Sequence, residues 1–129
     1  MRGVEPEEKR VDNEQCVFCR IVKGELPSRK VYEDDQVLAF DDIHPVAPVH
    51  FMIIPKEHIQ SMAHLEERHQ QVMGRIALLA APLAAQKGSR DGFRAIVNTG
   101  LVGRQDVFHL HMHVLGGPAP LPGMIQRSE

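Results

Sequence analysis

A period of two gives way to a period near four and then returns along this chain. Residues 31–33 and 37–40 are short apolar runs either side of Asp34 and Asp35, which reads as a hairpin with a tight turn. Residues 51–54 (Phe, Met, Ile, Ile) form a nearly continuous apolar strand that stops at Pro55. From 65 to 86, Val72, Ile76, Leu79 and Leu83 recur at helical spacing, which predicts the one long helix, with Pro82 bending or ending its regular part and Gly88 as its C-cap. A short helix is expected over 17–23, stopped by Gly24, and another strand over 93–98. Residues 107–115 then alternate strictly, so that Leu110, Met112 and Val114 face a core while His109, His111 and His113 line the opposite side. The order of elements predicts an α+β domain with a five-stranded antiparallel sheet. Residues 1–13 read as a flexible polar arm, 14–117 as the domain and 118–129 as a Pro-rich tail.

Composition narrows the class. The chain has 129 residues, enough for one domain with a real core, and a formal charge of -2 without any lysine or arginine cluster, which argues against a nucleic-acid polymer as partner. No apolar stretch is long enough to span a membrane and the polar start lacks a secretory signal, so a cytoplasmic protein is expected.

Three imidazoles on one strand face, about 7 Å apart, suit metal ligation or a phosphate pocket better than a solvated surface. Near neutral pH an imidazole can attack phosphorus, and His111, flanked by the other two, is the natural nucleophile. The preceding loop, with Asn98, Gly100, Gly103, Arg104, Gln105 and Asp106, offers donors for phosphate oxygens. His50 opens the 51–54 strand and could sit beside the triad. Cys16 and Cys19 have the spacing of half a tetrahedral metal site, with His58 and one triad histidine as a possible other half; the alternative is a pair of reduced, metal-free thiols. Asp41 and Asp42 follow a strand, where a carboxylate can accept ribose hydroxyls. Phe18, Ile21, Phe40 and Ile43 form either a slot for a flat base or ordinary core. His64 and His69 read as surface residues, and the role of His44 is open.

The segment His109-Leu110-His111-Met112-His113-Val114-Leu115 resembles the signature of the histidine triad (HIT) family, and its HINT-like purine nucleoside phosphoramidase branch in particular. The likeness runs over about residues 16–117, through Cys16-Val17-Phe18-Cys19, Leu38-Ala39-Phe40-Asp41-Asp42-Ile43, residues 47–59, Val97-Asn98-Thr99-Gly100 and Gly116-Gly117. It implies a homodimer whose sheets join into ten strands. It also implies hydrolysis of the P–N bond of a purine nucleotide (AMP) conjugate through a nucleotidyl-histidine intermediate. By that likeness His111 attacks phosphorus, His113 serves the phosphate and leaving-group side, and His50 supports them. Asn98, Gln105 and the Val107 amide hold the phosphate side, Asp42 the ribose, and Phe18, Ile21, Phe40 and Ile43 the purine. Cys16, Cys19, His58 and His109 are implied as ligands of a structural zinc ion, with no organic cofactor. The alternatives are hydrolysis of dinucleoside polyphosphates, nucleotidyl transfer, or nucleotide binding without turnover. Met112 stands where a glutamine favours transfer in relatives. Asp106 stands where the phosphoramidase branch often has serine, the chain has no tryptophan, and the Pro-rich tail departs from the pattern.

Overall fold

The computed structural model describes residues 14–125. The expected arm 1–13 and the last residues of the tail lie outside that range. In chain order the elements are helix α1 (Val17–Val22), strands β1 (Lys30–Glu33), β2 (Val37–Asp41) and β3 (Val49–Pro55), 3-10 turns at Met62–His64 and Glu67–His69, helix α2 (Gln70–Gln86), and strands β4 (Arg94–Ile96) and β5 (Met112–Gly116). The five strands form one antiparallel sheet in the order β1-β2-β3-β5-β4.

Both faces of the central strands are covered, which is why β3 reads as a continuous apolar run rather than an alternating one. Val37, Ala39, Val49, Phe51, Ile53 and Val114 pack with Ile76, Ala80, Leu83 and Ala84 of α2. The intervening residues Leu38, Phe40, Met52 and Ile54 pack with Phe18 and Ile21 of α1. Leu110 and Met112 join the α2 face, so the three histidines belong to the α1 face, as the alternation requires.

Several expected boundaries move. Only Met112–Gly116 is regular strand, although the alternation of faces continues back to His109. The last ladder pair is Ile53 with Met112, and the Leu110 amide instead donates to the carbonyl of Ile59, 2.7 Å away, in the segment after β3. The long helix begins at Gln70, not near Leu65, because local bonds hold the preceding stretch in tighter turns. Ser61 Oγ accepts from the Ala63 amide, and the Glu66 amide donates to Nδ1 of His69. His69 is consequently buried and paired with Glu57, contrary to its reading as a surface residue. α2 continues through Pro82, whose missing N–H lies on the exposed side, where water can serve the orphaned carbonyl. The strand expected over 93–98 shortens to Arg94–Ile96.

Helix α2 is fastened at both ends. Arg75 bonds Asp34 and, at 2.7 Å, the Tyr32 hydroxyl in the β1–β2 hairpin. After its C-terminus Ser89 is buried; its hydroxyl donates to the Gly92 carbonyl at 2.6 Å and accepts the Gly117 amide at 3.0 Å. Gly116 lies so close to that hydroxyl that a Cβ there would stand 2.1 Å from it. The turn thereby pins the end of β5.

Candidate functional site

The triad is sorted by which atom of each ring is already committed. His109 has no exposed surface, and its Nε2 lies 2.8 Å from the Pro55 carbonyl. A carbonyl only accepts, so Nε2 carries the proton and Nδ1 presents a lone pair. That lone pair faces Cys16 Sγ at 3.4 Å and Cys19 Sγ at 3.5 Å, while His58 Nδ1 lies 3.2 Å from Cys19 Sγ. The four donor atoms lie within 4.8 Å of one another. Sulfur and nitrogen ligands on one tetrahedral zinc stand about 3.6 Å apart, so these residues fit the ion in donor type, number and spacing. Burial, reinforced by Cys16, pushes the Cys19 thiol up to about 12, a cost that a bound cation offsets. Cys16 Sγ also accepts the Cys19 amide and caps α1, tying this cluster to the helix that carries Phe18 and Ile21.

His111 is held differently. Its Nδ1 lies 2.8 Å from the carbonyl of His109, so Nδ1–H donates there and Nε2 keeps the free electron pair. Edge contacts with Phe18 (5.2 Å between ring centres) and His113 (5.0 Å) fix the ring plane. His113 pairs in register with Met52, which places it diagonally beside His50 on the same face. The Val46 amide donates to His50 Nδ1 at 3.1 Å, so in the neutral ring His50 Nε2 bears the proton. That Nε2 is 3.0 Å from His113 Nδ1 and 3.3 Å from Asp42 Oδ2. His113 Nδ1 therefore accepts, and its Nε2 bears a proton. Asp42, His50 and His113 also meet the spacing of a metal cluster, but a proton already joins the two rings. Burial drives both rings down from the ordinary histidine range: for His50 against the pull of Asp42, and for His113 with help from the neighbouring rings.

His111 and His113 open on a cavity of about 380 Å³, within the range of small-molecule sites. Of the residues expected to bind nucleotide, Phe18, Ile21, Phe40, Asp42, Ile43, Val107, His111 and His113 line it. Phe18 and Phe40 meet edge to face at 5.5 Å, whereas Ile43 projects exposed at the rim. Phe18 and Phe40 are thus core on their buried side and cavity wall on their open side. Two expected residues do not line the cavity. Gln105 is buried in its own loop, accepting from the Gly100 amide and donating to the carbonyls of Gln60 and Val107, which consumes the amide expected for phosphate. Asn98 lies just beyond β4, outside the cavity wall. Sequence reasoning missed Val17, Leu26, Pro27, Ser28 and Met52; the Pro27-Ser28 turn, which carries the chain from α1 towards β1, was the available signal. His44 is exposed, and its backbone amide donates to Asp42 Oδ1 at 2.8 Å.

Comparison with known proteins finds relatives over most of the chain. The family description "scavenger mRNA decapping enzyme C-term binding" matches residues 15–129. The purine nucleoside phosphoramidase of Escherichia coli (strain K12) is 45% identical over 113 residues, covering 87% of this chain and 94% of that protein. Protein HitA of Neisseria gonorrhoeae is 44% identical over 105 residues, 81% of this chain and 98% of its own length. A HIT family hydrolase from Clostridium thermocellum superposes with a TM-score of 0.81 at 46% identity, covering 87% of this chain and 98% of that one.

Burial also predicts an acid response. His109 is pushed down to about 4 by its burial, with the Pro55 carbonyl opposing and His58 and His111 adding to the fall. Unfolded histidine titrates near 6.5, so between about pH 6.5 and 4 the unfolded chain binds more protons and stability is lost as pH falls. In chelator-treated protein the urea midpoint should drop across that window, and drop less steeply in His109→Asn. Equal slopes in the two proteins would show that His109 is not the buried neutral group.

Proposed function

The chain belongs to the histidine triad superfamily, and on that premise we propose that it hydrolyses the P–N bond of purine nucleoside phosphoramidates, releasing AMP and an amine. The observation that carries this reading is the bond from His111 Nδ1–H to the His109 carbonyl, which leaves Nε2 as an unprotonated nucleophile facing the cavity.

In the proposed reaction Nε2 attacks the α-phosphorus. The N–P bond to His111 forms as the bond to the amine breaks. The amine leaves with the electron pair and takes a proton supplied through His113 Nε2. The phosphorylated imidazole keeps its Nδ1 proton, and the His109 carbonyl stabilises the positive charge that the ring acquires. Water then attacks phosphorus and gives its proton to the relay, and the N–P bond to His111 breaks to release AMP. His50, held by the Val46 amide, keeps His113 in the tautomer that donates. Asp42 holds the ribose hydroxyls and Phe18, Ile21, Phe40 and Ile43 the base. The Val107 amide serves phosphate; Asn98 and Gln105 act on it only by shaping the loop. We assign Cys16, Cys19, His58 and His109 as ligands of a zinc ion. With four protein donors the ion is structural; when bound it supplies cross-linking of α1 to the triad, and no step passes through it. A soluble cytoplasmic setting fits this chemistry, and no helix of the described residues is long and apolar enough to cross a membrane.

We also propose a homodimer. β4 lies at the end of the strand order with Leu78, Phe93, Leu101 and Val102 exposed, and a second copy joined there would make ten strands.

His111→Ala should lower release of AMP from a fluorogenic adenosine phosphoramidate by at least about 10³-fold while nucleotide still binds; turnover within tenfold of wild type sinks the nucleophile assignment. Protein purified without chelator should hold one zinc per chain by mass spectrometry of metals, and Cys19→Ser should lose it; a metal-free wild type removes the zinc assignment. Sedimentation equilibrium should return twice the 14.5 kDa chain mass, and a monomer mass at micromolar concentration overturns the dimer.

A further inference from the structure

The cavity that is to receive a phosphate carries three carboxylates, Asp41, Asp42 and Asp106, and among the described residues no lysine or arginine lines it. Two of the three are neutralised or engaged. Lys87 Nζ lies 3.0 Å from Asp41 Oδ1, and Asp42 accepts the His44 amide and faces His50. Asp106 is different. Among the described residues it pairs with no lysine or arginine, its side chain is 77% exposed, and its Oδ1 stands 3.6 Å from His111 Nε2. That is beyond a hydrogen bond but well within reach of charge.

Its position decides which part of a substrate feels that charge. The base takes the apolar side of the cavity, around Phe18 and Phe40. An in-line attack from Nε2 puts the leaving nitrogen on the far side of phosphorus, about 5 Å from Nε2, and its substituents pass outward. Asp106 and Val107 form the ridge between this cavity and a neighbouring cleft of about 430 Å³ that holds Gln60 and Phe108. A leaving group directed outward crosses that ridge beside the carboxylate. A leaving group that is itself anionic meets like charge there with no basic side chain in the wall to offset it, whereas one with an ammonium supplies the missing cation.

We propose that Asp106 determines leaving-group specificity: it selects nucleoside phosphoramidates whose amine bears a further positive charge, as in a diamine or a lysine-like amine, over those whose amine bears a carboxylate or whose leaving group is a polyphosphate. This rests on the phosphoramidase reading above. After P–N cleavage the cationic amine departs, water breaks the N–P bond to His111, and the AMP so formed is left beside an uncompensated carboxylate that favours its release.

The test is a set of three AMP phosphoramidates with the same alkyl amine, ending in an ammonium, a neutral acetamide or a carboxylate. At low salt, kcat/KM in the wild type should be about fivefold higher for the ammonium than for the acetamide, and about fivefold higher for the acetamide than for the carboxylate, the reach of one partly exposed charge pair. The neutral conjugate is the internal reference for each protein. Asp106→Asn should flatten the ladder to within twofold, Asp106→Lys should invert it, and Asp106→Glu should keep it; added salt should compress the ladder wherever residue 106 is charged and leave the Asp106→Asn values unchanged. A ladder of the same steepness in wild type and Asp106→Asn, or no ladder in the wild type, overturns the assignment to Asp106 while hydrolysis itself stands. Failure of the wild type to release AMP from any of the three overturns the phosphoramidase reading, and the proposal with it.

Discussion

The bond from His109 Nε2–H to the Pro55 carbonyl governs more of this molecule than any other single contact. It fixes the ring of a fully buried histidine in one tautomer and so turns Nδ1 towards the two thiols. The same residue's carbonyl fixes the tautomer of His111. One side chain thus orients the candidate metal cluster, and one backbone group of the same residue sets the tautomer of the proposed nucleophile. The donor of the first bond and the acceptor of the second sit on adjacent parts of a rigid segment, so an error in placing His109 is felt at both sites.

Coverage of both sheet faces makes this arrangement possible. α2 stabilises one face by ordinary apolar burial, worth about 25 cal/mol per Å². The α1 face is smaller and must share its area between core and cavity. Phe18 shows how the area is shared: one residue packs on Phe40 and presents its edge to both His109 and His111. The cavity wall is thereby continuous with the core, and burial of the imidazoles holds His50 and His113 below the usual histidine range.

Much of this could be read in the sequence because period and parity are local. The stripe Val72, Ile76, Leu79 and Leu83 announced α2, and alternation through Val114 put the histidines on one face, which held even where the ladder itself stopped. The cysteine spacing pointed to half of a metal site, with His58 and one triad histidine as the other half or else a pair of reduced thiols; the fold brings Cys16, Cys19, His58 and His109 together. What escaped were the places where a side chain serves its own backbone. Ser61 and His69 took up amides that a longer helix needed, and Gln105 spent its amide on its loop. Such bonds depend on the path of the chain, which residue type alone does not disclose. Resemblance brought the functional roles closer to hand, but Gln105 also shows that a residue can keep its position in a pattern and still be directed elsewhere.

Gly116 carries a consequence for how this chain can change over evolutionary time. Its Cα rests against the Ser89 hydroxyl, where even a methyl group would collide. A single residue inserted between His109 and Leu115 would bring Leu115 to that spot, and an insertion before Met112 would hand Met112 to the cavity and His113 to the core. Insertions in stretches such as 42–47 and 99–104 leave that parity intact. The eight residues from His109 to Gly116 thus tolerate no change of length without changing which residues face the cavity.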